Sequence, residues 1–256
     1  LIKKLLEFLF ENSKIEPTMD PARVGVNFQN VEFTSGGRTL RGWLIEGEGP
    51  TLIMSHGWGA NSQVFIPLIQ HLAPAGYRIL AFDASNHGRS QNYHPTTIRT
   101  FVEDIQSAIN FMGDSPVLIG HSMGAASSLI AGNMEESVRA IVAIAPFCST
   151  PEIIKNRMGT LVPDSLKKKV LEELERIAGV NLEEFSPCSF VCKRKLPILI
   201  VHGQIDETVP YEDALRIKRK CPDIEVEIIP DEDHMSVLVN KQALRRIEKF
   251  LEQITG

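Results

Sequence analysis

The chain of 256 residues has 43% hydrophobic and 23% charged side chains, which excludes a disordered or fibrous polymer and supplies enough apolar residues for a core. Its 27 Lys and Arg against 32 Asp and Glu give a formal net charge of -5. The one dense basic run, Lys193 to Lys195, is too short to neutralise a phosphate backbone, so nucleic acid is excluded as a partner. Taken in chain order, Leu1 to Phe10 set Leu1, Ile2, Leu5, Leu6, Phe8 and Leu9 opposite Lys3, Lys4 and Glu7, an amphipathic helix. It is expected to pack on its own domain or to make peripheral contact with a membrane or partner through residues 1–10. Residues 1–27 then form an N-terminal helix and linker.

From Val31 the texture turns β-rich. Val31 to Thr34 and Leu40 to Ile45 flank Ser35-Gly36-Gly37-Arg38, an antiparallel hairpin. Strands then alternate with helices: strand 51–55, helix 63–73, strand 78–82, helix 97–111, strand 117–119, helix 122–133 and strand 140–145. The pattern resumes with strand 198–201, helix 211–220, strand 226–229 and helix 236–251. Nearly unbroken apolar strands between amphipathic helices predict an α/β class with a mostly parallel central sheet and helices on both faces. Residues 147–195 carry helical patterns where a strand is due. They are expected to form a small helical cap inserted between core segments 28–146 and 196–256, or else a plain helical connection.

The four cysteines, Cys148, Cys188, Cys192 and Cys221, include no CxxC pair and are expected to be reduced thiols. No apolar run approaches the roughly 20 residues that cross a bilayer, and no leader pattern is visible. A cytoplasmic protein is expected, with an anchor upstream of Leu1 left open.

Chemistry concentrates at Gly120-His121-Ser122-Met123-Gly124, after a strand and before the small-residue helix that starts Ala125-Ala126-Ser127-Ser128. This is the G-x-S-x-G elbow: the tight turn strains the serine backbone, and a side chain at either glycine would collide with neighbouring backbone. A serine hydroxyl needs a base to take its proton and an acid to orient that base. Of seven histidines, His56, His87, His121 and His202 lie in tight turns that favour structural hydrogen bonding, His71 lies in a helix, and His94 lies in a loop with no partner acid downstream of it. His234 is therefore the expected base. Asp206, after the strand 198–201, is the expected acid, with Glu207 a near rival and Asp233 too close to His234 to orient it well. The expected oxyanion donors are the backbone N–H groups of Met123 and of Trp58, in the loop Ser55-His56-Gly57-Trp58-Gly59.

These motifs, with Asp83-Ala84-Ser85-Asn86-His87-Gly88-Arg89-Ser90, resemble an α/β-hydrolase-fold serine hydrolase of the lysophospholipase and monoglyceride-lipase-like type over residues 28–253. The resemblance implies hydrolysis of a small acyl ester through a Ser122 acyl-enzyme that water, activated by His234, then cleaves. Thioesters, lactones and amides need the same triad, so the substrate stays open, as does the oligomeric state. The segment 147–195 matches no pattern of that family.

Two other readings compete. Gly57-Trp58-Gly59-Ala60-Asn61-Ser62 partly mimics a dinucleotide fingerprint, but Ser62 replaces its last glycine and Asp83 falls beyond the usual interval. A non-catalytic binding protein of the same fold is the second, against which all three triad residue types stand in the expected order. No P-loop, HExxH or zinc spacing occurs, so no cofactor or metal is expected.

Overall fold

The computed structural model describes residue 6 and residues 14–255. The helix expected over Leu1 to Phe10 lies outside the described residues except for Leu6, which is helical, half-buried and packed on the main core.

Among the described residues the sheet has eight strands in the order β1-β2-β4-β3-β5-β6-β7-β8. They are β1 Gln29–Ser35, β2 Arg38–Ile45, β3 Thr51–Ser55, β4 Arg78–Asp83, β5 Val117–His121, β6 Ala140–Ile144, β7 Ile198–Gly203 and β8 Glu225–Ile229. The hairpin β1–β2 turns at Gly36 and Gly37, whose φ values of 52° and 80° are the left-handed pair that a twisted two-residue turn demands. The β1–β2 and β2–β4 pairings are antiparallel; every other pairing is parallel.

Alternate side chains of the central strands feed two cores. Ile53, Leu80, Leu118, Ile141 and Ile200 face one layer, beneath α2 (Ile98–Met112), α3 (Met123–Met134) and α7 (Glu212–Lys220). Leu52, Met54, Ile79, Ile119, Val142 and Leu199 face the other, beneath α1 (Ile66–Leu72) and α8 (Lys241–Thr255). Both sheet faces are thus covered, as the unbroken apolar strands required.

Two expected helices are divided. The stretch expected at 63–73 is a 3₁₀ turn over Ser62–Phe65 followed by α1, because Pro67 lacks the N–H needed inside a helix and fits only a first turn. The last helix does not run from Ser236. A 3₁₀ turn covers Ser236–Leu238, and α8 starts after Asn240, whose Oδ1 accepts from Gln242 N at 2.7 Å and Ala243 N at 3.1 Å.

Between β6 and β7 lie α4 (Thr150–Met158), α5 (Asp164–Ala178) and the short α6 (Pro187–Phe190). Val170, Leu174 and Met158 are buried, while Ile153, Ile154, Val162 and Leu171 pack half-buried on the layer that also receives Trp58 and Met123. Arg216 on α7 grips Glu152 on α4 at 2.5 and 2.9 Å, and Arg99 Nη1 on α2 donates to Ala178 O at 2.9 Å.

The expectation of reduced thiols is wrong here. Cys148 pairs with Cys188 and Cys192 with Cys221, leaving no free cysteine. Partners 40 and 29 residues apart are brought together by the fold, which spacing along the chain does not reveal. Disulfides persist in oxidising compartments, so the pairing removes the cysteine argument for a reducing, cytoplasmic setting. Among the described residues no helix is long and apolar enough to cross a membrane.

Candidate active site

Strand β5 is buried along its whole length and ends where the backbone reverses at Ser122, with φ 54° and ψ −116°. That conformation costs a non-glycine residue energy and persists only when its surroundings dictate it. They do. Ser122 N donates to Ile144 O at 2.9 Å, tying the turn to β6, while Ser122 O accepts from Ala126 N at 2.9 Å, the first bond into α3. A Cβ on Gly120 would lie 2.4 Å from Gly124 O, and one on Gly124 would lie 2.0 Å from Ser55 O. Only glycine fits both flanks, so strand, turn and helix can pack with the serine at the apex. Its hydroxyl makes no capping bond to α3.

The loop after β3 closes against this apex. A Cβ on Gly57 would be 3.0 Å from Ser122 Cβ, so the Gly57-Trp58 segment runs directly beside the serine. His56 pins that segment: its Nδ1 donates to Gly57 O at 2.7 Å and its Nε2 accepts from Ala84 N at 3.0 Å. Burial lowers its pKa, which keeps it in the neutral form this pattern needs. Asp83 braces the next turn by accepting from Ser62 N at 2.7 Å, Arg89 N at 3.0 Å and Arg89 Nε at 2.9 Å. A Cβ on Gly88 would fall 2.4 Å from Asp83 Cγ. The Asp83-to-Ser90 motif is therefore scaffold for the Trp58 loop. Trp58 itself sits edge-on to His87, with ring centroids 5.3 Å apart.

Asp206 leaves the carboxyl end of β7 and is buried. Its Oδ1 accepts from Thr208 N at 2.9 Å and Val209 N at 2.8 Å; its Oδ2 accepts from His234 Nδ1 at 2.6 Å and lies 3.3 Å from His202 Nε2. Burial alone would raise its pKa, but the hydrogen bonds from His202, His234 and Val209 more than offset this and hold it well below the usual carboxylate range. Glu207 points to solvent, and Asp233 is spent on its own turn, its Oδ1 accepting from Met235 N and Ser236 N at 2.8 Å. The structure thus brings Asp206, rather than either rival, to His234.

His234 follows β8 on a loop held against the end of β7. Ile205 N donates to Glu232 O at 3.0 Å, and a Cβ on Gly203 would be 2.3 Å from that same oxygen. The ring of His234 lies 4.7 Å from that of His121, the residue preceding Ser122. The Ser122 hydroxyl itself makes no hydrogen bond with a described residue. Imidazole and carboxylate are in contact, and the imidazole also lies against His121, the residue before Ser122. Met123 opens α3 at its first position, where an N–H has no partner within the helix.

Sequence reasoning passed over Gly203, whose requirement for close approach shows only once β7 meets the His234 loop. It likewise assigned His121 and His202 to turn geometry without linking them to the Asp206–His234 pair. No cluster able to hold a metal ion occurs among the described residues.

Residues 50–175 match a protein-family model described as alpha/beta hydrolase fold. The chain is 32% identical over 145 residues to a pimeloyl-[acyl-carrier protein] methyl ester esterase of Xanthomonas campestris, covering 55% of this chain and 53% of that protein. It is 28% identical over 173 residues to the thiohydrolase aneE of Aspergillus aculeatus, covering 62% and 53% respectively. The chain thus spans about half the length of these relatives. Among solved structures, the Pyrococcus furiosus esterase Pf2001 superposes with a TM-score of 0.79 at 20% identity, over 96% of this chain and 99% of that one. By sheet order, elbow and superposition alike, this chain has the α/β-hydrolase fold.

Proposed function

We propose that the chain is a serine ester hydrolase in which Ser122 is the nucleophile, His234 the general base and Asp206 its orienter. The observation that carries the reading is the 2.6 Å bond from His234 Nδ1 to an ionised Asp206, together with a serine held at φ 54° on the turn that His121 links to the His234 loop. Nδ1–H donating to the carboxylate leaves the lone pair of Nε2 free to accept a proton. As the Ser122 oxygen bonds to the ester carbonyl carbon, its proton passes to Nε2 of His234. The carbonyl π-electrons move onto oxygen, where the N–H groups of Met123 and Trp58 stabilise the charge. Collapse expels the alcohol, which takes the proton from His234. Water then repeats the sequence on the acyl-enzyme and returns Ser122. The serine–imidazole bond in such sites commonly tightens only in the substrate complex, in keeping with the unbonded hydroxyl.

The substrate is a small acyl ester, and residues 147–195 act as a cap over core segments 28–146 and 196–256. The half-buried Ile153, Ile154, Val162 and Leu171, on the same layer as Trp58 and Met123, support an apolar wall for the acyl chain. A thioester is the second reading: it needs the same machinery, and one relative is named a thiohydrolase.

A fluorophosphonate probe tests the assignment. Stoichiometric labelling that disappears in Ser122→Ala is expected; a wild-type protein left unlabelled, or a Ser122→Ala variant keeping half its esterase activity, overturns it.

A further inference from the structure

We propose that His121 and His202 are positioning residues that clamp the His234–Asp206 pair from its two ends, an inference resting on the serine-hydrolase reading above.

Both rings are buried, at 2% and 0% exposure. His121 Nε2 faces His234 O at 2.9 Å, and His202 Nε2 faces Val209 O at 2.8 Å. A carbonyl accepts and cannot donate, so each ring carries its proton on Nε2. In both rings the other nitrogen, Nδ1, is buried without a hydrogen-bond partner among the described residues. An unpaired buried polar atom is unfavourable, and an apolar side chain of similar size would avoid it. Simple space-filling therefore does not account for two imidazoles in this state around one pair. What each Nε2–H holds does.

His121 holds the backbone of the base itself. Its ring belongs to the last residue of β5, directly before Ser122, so the bond to His234 O fixes the base-bearing loop to the nucleophile turn. It does not compete for the proton, because burial and the adjacent His234 ring push its pKa down to about 3. His202 holds the acid. Its Nε2–H reaches Val209 O and lies 3.3 Å from Asp206 Oδ2, while Val209 N donates to Asp206 Oδ1 at 2.8 Å. Carboxylate, loop and ring thereby form a closed set that prevents Asp206 from rotating away from His234. Misplacing a reacting group by about 1 Å can cost on the order of 10²-fold in rate, so orientation at this distance matters to turnover.

Four variants decide the matter: His121→Leu, His121→Gln, His202→Leu and His202→Gln, assayed with p-nitrophenyl acetate and with fluorophosphonate labelling. Glutamine carries an N–H at nearly the reach of imidazole Nε2, whereas leucine carries none. Each leucine variant is expected to lose about 10- to 100-fold in kcat with KM within about twofold, and each glutamine variant to recover most of that loss. Leucine variants with wild-type kcat, or glutamine variants as slow as leucine, overturn the proposal. Where a leucine variant does not fold, asparagine, whose amide stops short of the Nε2 position, replaces it under the same criteria. If the wild type is unlabelled at Ser122, the hydrolase reading and this one fall together. If it is labelled and the leucine variants match it in kcat, only the positioning role falls.

Discussion

The turn at residues 120–124 and the segment at residues 147–195 are held by different forces. The turn is dictated by backbone: a Cβ on Gly120 or Gly124 would meet main-chain atoms at 2.4 or 2.0 Å, so any wider residue forces strand and helix apart. The segment between β6 and β7 is held by side chains, through the Arg216–Glu152 and Arg99–Ala178 contacts, half-buried aliphatics and two disulfides. Backbone sterics tolerate few sequences, whereas side-chain fastenings can be exchanged. The turn is therefore readable from a five-residue motif, whereas the contacts that hold the segment are not.

Breaking the reactive side should produce the largest change. Asp206→Asn removes the charge that orients His234 and is expected to lower kcat by about 10⁴-fold, roughly 5 kcal/mol of transition-state stabilisation, while Glu207→Gln stays near wild type. Initial rates on a p-nitrophenyl ester check this, and the reverse ranking would transfer the acid role to Glu207. Next comes Gly124→Ala, where backbone rather than a flexible side chain occupies the space. A loss of about 3 kcal/mol or outright failure to fold is expected by urea denaturation. An unchanged midpoint would show that the turn is less constrained than its contacts imply.

Smaller effects sharpen the other side of the comparison. Replacing Cys192 and Cys221 together by alanine opens a loop of 29 residues and is expected to cost about 2–4 kcal/mol, with Ser122 still labelled by fluorophosphonate. Lost labelling would mean that the segment shapes the nucleophile after all. The smallest effect per residue concerns acid. Burial holds the pKa of both His87 and His121 near 3 in the folded chain, against an ordinary value of about 6.5 unfolded. The folded state then binds fewer protons, so stability present above about pH 6.5 is lost as pH falls toward 3. On the order of 1–2 kcal/mol per histidine should go between about pH 6.5 and 5, read as a shift in urea midpoint; His121→Gln should reduce the slope.

Local requirements explain how much was legible. The hairpin at Gly36-Gly37 and the alternation of strand and helix follow from neighbours in sequence, so the eight-stranded sheet's composition was readable. Ser122, Asp206 and His234 were expected from their places after β5, β7 and β8, and the structure joins the last two directly. What stayed hidden depends on distant partners. Cys148 and Cys188 meet only because the 40-residue stretch between them folds back, and Gly203 needs to be small only because the His234 loop crosses it. Local signals were also missed: Pro67 and Asn240 each announced a helix start inside a longer apolar pattern.

The loop that carries His234, the proposed base, hangs from β8, which among the described residues is an edge strand bonded to β7 alone, while Ser122, the proposed nucleophile, rises from β5, flanked by β3 and β6. Strand margins fray at lower free energy than sheet centres. Warming should therefore unhook the imidazole while the serine is still seated, so that catalysis dies at a temperature below the one at which the molecule melts.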